Sequence, residues 1–145
     1  MRKVLIVSIV LMMTAGFVAP VATAEDEEIV ETLRSVVKEN FALAEEEDLE
    51  GYMDMMHPQS PAYQQTRQGM NQMISRYDLE YELLSFTYLG KSGKYQMARV
   101  EQKTTDNSEA MFRANITDNL WVFRKQGDQW KGWNTMILER EFLNS

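Results

Sequence analysis

The one histidine of the chain lies near a carboxylate, and the two could form an acid–base pair. Asp54 and His57 are three residues apart in a segment with helical periodicity, so they could share one face, as a carboxylate that orients a general base must. The apolar residues of this segment predict, however, that the pair points partly to solvent. Capping of the helix end by His57 is the simpler interpretation. We therefore predict no catalytic residue, with Asp54 and His57 as the pair to test.

The sequence predicts neither a metal site nor a cofactor. The chain has no Cys, and its lone His has no second His at ligand spacing, whereas transition-metal sites combine several such ligands. The acidic run from Glu45 to Asp48 could be considered for calcium, but it lacks the glycine and the alternating oxygen ligands of a calcium loop. A solvated junction between two helices explains this run better.

Aromatic side chains carry the best signal for a binding site. Together with a methionine and an amide, they are predicted to line an apolar cavity that takes an apolar small molecule. The predicted ligand-binding residues are Tyr52, Met56, Tyr81, Gln102 and Trp121. A closed aromatic core in which the polar groups satisfy each other is the alternative.

An alternating segment around residue 100 has two faces of different character. Gln102 and Thr104 share one face with apolar residues, and we expect this face to be concave. The other face carries Arg99, Glu101 and Lys103, which suit either open water or a salt-bridged contact. The sequence therefore predicts a homodimer formed through a sheet.

Charge and composition limit the classes of protein. The chain has 15 Lys and Arg against 22 Asp and Glu, a net charge of −7 at pH 7. A nucleic-acid binder would need a basic stripe, so nucleic acid is not an expected partner. With 44% hydrophobic residues in 145, the chain can bury the core of a single globular domain.

The N-terminus predicts export. Arg2 and Lys3 precede an apolar stretch, Pro20 ends it, and Ala22-Thr23-Ala24 provides the small residues of a cleavage site. We expect cleavage after Ala24, a periplasmic or secreted location and no membrane association afterwards. The alternative is an uncleaved anchor, since the uncharged stretch is long enough to span a bilayer. The predicted domains are a signal peptide over residues 1–24 and one domain over residues 25–145.

Periodicity then divides the predicted domain into helices and strands. Apolar residues at three- and four-residue spacing predict three helices, over about 26–46, from Asp48 to His57 and from Ser60-Pro61 to Tyr77. Alternation predicts four antiparallel strands, over about 79–89, 95–105, 110–125 and 129–142. The fold class is therefore α+β, with three N-terminal helices packed on a strongly curved four-stranded sheet.

Two segments resemble the nuclear transport factor 2-like (NTF2-like) superfamily. The run Glu46-Glu47-Asp48-Leu49-Glu50-Gly51-Tyr52 with Met56-His57-Pro58 resembles the start of the family's second helix. The end, Trp121 to Lys125 followed by a Gly-Asp turn and Gln129-Trp130-Lys131, resembles its final hairpin. The resemblance implies a cone of helices wrapped by a bent sheet, with a cavity at the open end. Members include steroid isomerases, SnoaL-like enzymes and domains that only bind or dimerise, so the fold does not select the function.

The residues that the resemblance assigns to steroid isomerases do not match this chain. Asn40 stands where that branch has a tyrosine, and Trp121 stands near the position of its protonated acid. The short strand that carries the general base is expected to be missing, because the chain passes from Pro58 directly to Ser60-Pro61. This isomerase chemistry is not expected.

The leading hypothesis is an exported small-molecule-binding or accessory module without evident catalytic residues. The first alternative is a SnoaL-like cyclase, isomerase or hydrolase acting on an apolar substrate, with Asp54, His57, Glu82 or Glu101 as its acid or base. A carboxylate of raised pKa inside the cavity would favour this enzyme. The second alternative is a protein-contact domain whose cavity is closed.

Overall fold

Helices occupy the first half of the chain and a sheet the second. The computed structural model describes residues 23–144. Its elements are α1 (Ala24–Glu45), α2 (Leu49–Asp54), α3 (Tyr63–Arg76), β1 (Leu79–Ser92), β2 (Tyr95–Asp106), β3 (Asn115–Gln126) and β4 (Gln129–Phe142). The strands form one antiparallel sheet in the order β1-β2-β3-β4, which confirms the predicted α+β class. Apart from Thr23 and Ala24, the predicted signal peptide lies outside the described residues, and its cleavage stays a prediction.

The core lies between one face of α1 and the inner face of the sheet. Leu33, Val37 and Phe41 follow each other at helical spacing on α1, and all three are buried. They pack against alternate residues of β2 and β3, where Ala98, Val100, Trp121 and Phe123 are also buried. Since side chains alternate across a strand, this contact fixes which residues of β2 and β3 face inward along their whole length.

The chain after α2 differs from the prediction. α2 ends at Asp54, and Met56 forms a parallel bridge with Gly132 of β4. Around it, the Gly132 N–H donates to the Met55 carbonyl at 2.9 Å and the His57 N–H donates to the Gly132 carbonyl at 2.8 Å. This isolated bridge binds the segment after α2 to the edge strand β4, and within the described residues no strand lies between α2 and α3, as expected.

The start of α3 also differs. The helix begins at Tyr63 rather than at the predicted cap Ser60. The Ser60 hydroxyl accepts the Ala62 N–H at 3.1 Å and donates to the Trp133 carbonyl at 2.5 Å. Ser60 thus ties the turn before α3 to β4, and this contact between distant parts of the chain has no local sequence signal.

Two strand boundaries move for local reasons. β1 continues to Ser92 and turns at Gly93, whose φ of 57° lies in the left-handed region that glycine tolerates. β3 begins at Asn115, five residues later than predicted. Residues 107–114 form the irregular connection before it, and Phe112 packs edge-on against Tyr77 at the end of α3, 5.2 Å between ring centroids.

Candidate functional site

A cavity of about 600 Å³ opens between the helices and the inner face of the sheet. Its size is that of an ordinary small-molecule site. α1 contributes Asn40, Phe41 and Ala44, α2 contributes Tyr52, and α3 contributes Met70 and Met73. Residues of all four strands and of the connection before β3 complete the wall, and Met111 on this connection is 98% exposed at the rim.

β3 forms a polar wall of the cavity. Asn115, Thr117 and Asn119 alternate along the strand, face inward and are buried. The Asn119 amide donates to the Thr117 hydroxyl at 2.9 Å and to the Val100 carbonyl at 3.2 Å. Because buried polar groups are stable only when they are hydrogen-bonded, this network holds the amide and the hydroxyl in fixed positions at the surface of the cavity.

Trp121 continues the same face of β3 and carries an unsatisfied donor. The side chain is 6% exposed, and within residues 23–144 its indole N–H has no hydrogen-bond partner. A buried donor without a partner costs about 1–3 kcal/mol. Trp121 also lines the cavity.

Two tyrosines form a neutral part of the wall. Burial raises the pKa of Tyr81 to about 12. Burial also raises the pKa of Tyr52, against a hydrogen bond with Asn40 that lowers it. Both phenols therefore stay protonated at neutral pH. The Tyr81 ring stacks on Phe41, with 5.6 Å between ring centroids.

A bulge in β4 decides which side chains reach the cavity mouth. Asn119 pairs with Ile137, but its neighbour Asp118 pairs with Glu139, so Leu138 is an extra residue. A bulge shifts the alternation of all later residues by one. Arg140 and Phe142 therefore line the cavity, where an unbulged strand would have placed Glu139 and Glu141.

The predicted ligand-binding residues come together in the structure. Tyr52, Tyr81, Gln102 and Trp121 line the cavity. Met56 does not, but it lines an adjoining recess of about 100 Å³ that also touches Tyr52 and Trp121. Gln102 and Thr104 lie on the cavity side of β2, with 3.4 Å between the Gln102 Nε2 and the Thr104 hydroxyl. The role of these residues in binding stays a prediction.

The predicted acid–base candidates lie outside the cavity. Asp54 is exposed, while His57 is only 4% exposed, so the expectation that His57 points partly to solvent is wrong. Its ring packs edge-on against Trp133, 5.2 Å between centroids, and its Nδ1 accepts the Gln59 N–H at 3.1 Å. The bridge between Met56 and Gly132 holds His57 against β4, where its ring contacts Trp133.

Glu82 and Glu101, the other two candidates, also lie away from the cavity. Glu82 is exposed on β1. Glu101 lies between Val100 and Gln102 on β2, so its side chain is on the outer face. Beside it on that face, Arg99 forms an ion pair with Asp118 of β3.

Several polar residues of the cavity were not predicted from the sequence. Besides Arg113, Thr135 and Arg140, they include Asn40, Asn115, Thr117 and Asn119. A signal for the last three was present, because they alternate in phase with Trp121 and Phe123 on β3. Asn40 occupies a position on α1 between Val37 and Phe41, where the apolar stripe of the helix gives no reason to expect an amide.

A protein-family model matches most of the chain. The family model described as "Anti-sigma-I factor RsgI9, C-terminal domain" matches residues 35–143. The chain belongs to this family. Among curated proteins none matches the sequence.

Solved structures of low sequence identity share the NTF2-like fold with this chain. Bd1075 of Bdellovibrio bacteriovorus superposes with a TM-score of 0.64 at 15% identity, over 81% of this chain and 44% of its own. This chain thus spans less than half of Bd1075. A candidate dehydratase of the NTF2-like family from Streptomyces avermitilis has a TM-score of 0.62 at 12% identity, covering 82% and 99%. A ketosteroid isomerase-like protein from Erwinia carotovora atroseptica has a TM-score of 0.55 at 12% identity, covering 77% and 98%. The predicted NTF2-like cone fold is confirmed.

No helix within residues 23–144 is long and apolar enough to cross a membrane. The same residues contain no group of three or more carboxylate and imidazole side chains that could hold a metal ion.

Proposed function

We propose that this protein is a small-molecule-binding module whose ligand occupies the cavity at the open end of the cone. The observation that carries the proposal is a cavity of about 600 Å³ whose wall combines aromatic rings with amide and hydroxyl groups fixed by hydrogen bonds. An apolar wall with a few fixed polar groups is typical of a small-molecule site.

The chemistry of the wall favours binding over catalysis. Within the described residues, no Asp or Glu lines the cavity. The titratable side chains that line it are tyrosines and two arginines, and neither type acts readily as a general base near neutral pH. Under the enzyme alternative, the general acid or base would be a residue that does not line the cavity. A carboxylate group of the substrate would also act as the acid or base under that alternative.

The family name supports an accessory role. The matching model is named for the C-terminal domain of an anti-sigma-I factor, which is a regulatory protein. By analogy we propose that this domain recognises a ligand and passes the signal to a partner. We also propose that the domain works after export, because basic residues and an apolar stretch follow each other at the N-terminus.

Filling the cavity tests the proposed function. Gln102 lines the cavity on β2, and its amide makes one long hydrogen bond, so a larger side chain should occupy space without breaking the β3 network. Native mass spectrometry of protein from the exported fraction should show a bound small molecule. We expect Gln102→Phe to lose it, because the phenyl ring takes the place of the ligand.

The neighbouring residue provides the control. Lys103 is next to Gln102 but faces the outer side of the sheet, so Lys103→Phe adds the same ring to the same strand and should retain the ligand. Equal retention by both variants would contradict binding in this cavity. Loss in both variants, with unchanged thermal stability, would also contradict it.

A further inference from the structure

We propose that the cavity takes an elongated organic anion, with its apolar body inside and its anionic group held by Arg113 and Arg140 at the mouth. The inference rests on the proposed function and adds the class of ligand. It follows from the placement of the only two charged side chains that line the cavity within the described residues.

Arg140 reaches the mouth because of the β4 bulge. It pairs with Thr117 of β3, and cross-strand partners share a face, so its side chain lies on the cavity side. The bulge at Leu138 turns Glu139 and Glu141 to the other face. The fold thus presents a cation at the mouth where an unbulged strand would have presented two carboxylates.

Arg113 approaches the same point from the connection before β3. Its guanidinium lies over the Phe142 ring, with Cζ 4.1 Å from the ring centroid, and the Cζ of Arg140 lies 6.0 Å from the same centroid. Both cations therefore lie beside one aromatic ring, and their Cζ atoms are at most about 10 Å apart. Within residues 23–144 the ion pairs are formed by other arginines, Arg34, Arg67 and Arg99.

Like charges at this distance repel each other, and an anion bound by both guanidinium groups would offset the repulsion. Guanidinium groups have donors in a fork that matches carboxylate, sulfonate or phosphate oxygens. Rim arginines are solvated, so we expect a gain in affinity of about five- to tenfold from the pair.

The distance from the mouth to the inner end of the cavity indicates how long the ligand is. Trp121 and Thr117, the partner of Arg140, lie four residues apart on β3, which is about 13 Å at the usual strand rise. The wall between them consists of aromatic rings, methionines and neutral amides and hydroxyls. The ligand is therefore elongated, with an apolar body about as long as the 13 Å of β3 that separates these two residues.

Two fluorescent probes that differ by one charged group test the inference. Anilinonaphthalene sulfonate and N-phenyl-naphthylamine have the same aromatic body, and only the first has an anionic group. We expect the purified protein to bind the sulfonate more tightly, by about five- to tenfold. The double variant Arg113→Gln/Arg140→Gln should reduce the sulfonate affinity to that of the neutral probe and leave the neutral probe within about twofold.

The controls separate this inference from the proposed function. Arg76→Gln removes an exposed arginine at the end of α3 that does not line the cavity, and it should change neither affinity. Gln102→Phe should block both probes. If both probes bind equally well, or the double variant binds the sulfonate like the parent protein, the anion inference is wrong and the cavity remains a binding site. If Gln102→Phe leaves both affinities unchanged, the probes bind elsewhere and the proposed function is wrong as well.

Discussion

His57 lies in a buried contact that a fall in pH should weaken. Burial lowers its pKa below the ordinary value of 6.5, and the positive charge of Arg124 lowers it further. The folded protein therefore prefers the neutral imidazole, while the unfolded chain takes up a proton near pH 6.5. Below that pH the unfolded state binds more protons, so stability falls with decreasing pH until the folded-state pKa is reached.

Urea unfolding at a series of pH values checks this expectation. The free energy of unfolding should be flat above pH 6.5 and should fall below it, with a slope of at most about 1.4 kcal/mol per pH unit for one proton. His57→Gln should flatten the slope between about pH 5 and 6.5, above the range in which carboxylates titrate. An unchanged slope in the variant would show that another group titrates there.

At the scale of elements, two helical glycines should respond differently to alanine. Gly69 lies in α3, and a Cβ added there would have no atom within 4 Å, so Gly69→Ala should stabilise the protein by up to about 1 kcal/mol. A Cβ at Gly51 would collide with the Asp48 carboxylate and with Leu43. Asp48 accepts the Gly51 N–H at 2.9 Å as the N-cap of α2.

Gly51→Ala should therefore displace the cap of α2. The lost cap costs about 1 kcal/mol and cancels the gain in helix propensity. Thermal unfolding of both variants beside the parent protein measures the difference. Equal stabilisation by the two alanines would mean that the carboxylate moves aside without losing its hydrogen bond.

At the scale of the whole molecule, the outer face of the sheet is the proposed homodimer contact. Met136 is 47% exposed on β4 and pairs with Leu120 of β3 on this face. Leu120 and Met136 form an apolar strip beside the Arg99–Asp118 ion pair. Such a combination is typical of a surface that associates. Burial of a lysine there would be costly, so Met136→Lys should convert a dimer to a monomer.

Analytical ultracentrifugation measures this change. Leu89→Lys is the matched control, because Leu89 is 48% exposed but lies on the edge strand β1, at the other side of the sheet. It should leave the mass unchanged. A parent protein that sediments as a monomer, or equal dissociation by both variants, would contradict a dimer formed through β3 and β4.

Local sequence patterns were enough to predict the order of elements and one wall of the cavity. Helical and alternating periods are local properties, so α1, the helix capped by Asp48, and the inward placement of Gln102 and Thr104 followed from the residues alone. The same logic applied to β3 would have found Asn115, Thr117 and Asn119.

The remaining features could not be predicted, because they depend on contacts between residues that are distant in the sequence. His57 is buried since Gly132 and Trp133 of β4 bind the segment after α2. The charge at the cavity mouth depends on the one-residue bulge at Leu138, which exchanges Glu139 and Glu141 for Arg140 and Phe142. A bulge has no reliable local signature. β4 has the same residues with or without the bulge. Only its pairing with β3 decides that Arg140, and not Glu139, faces the cavity mouth.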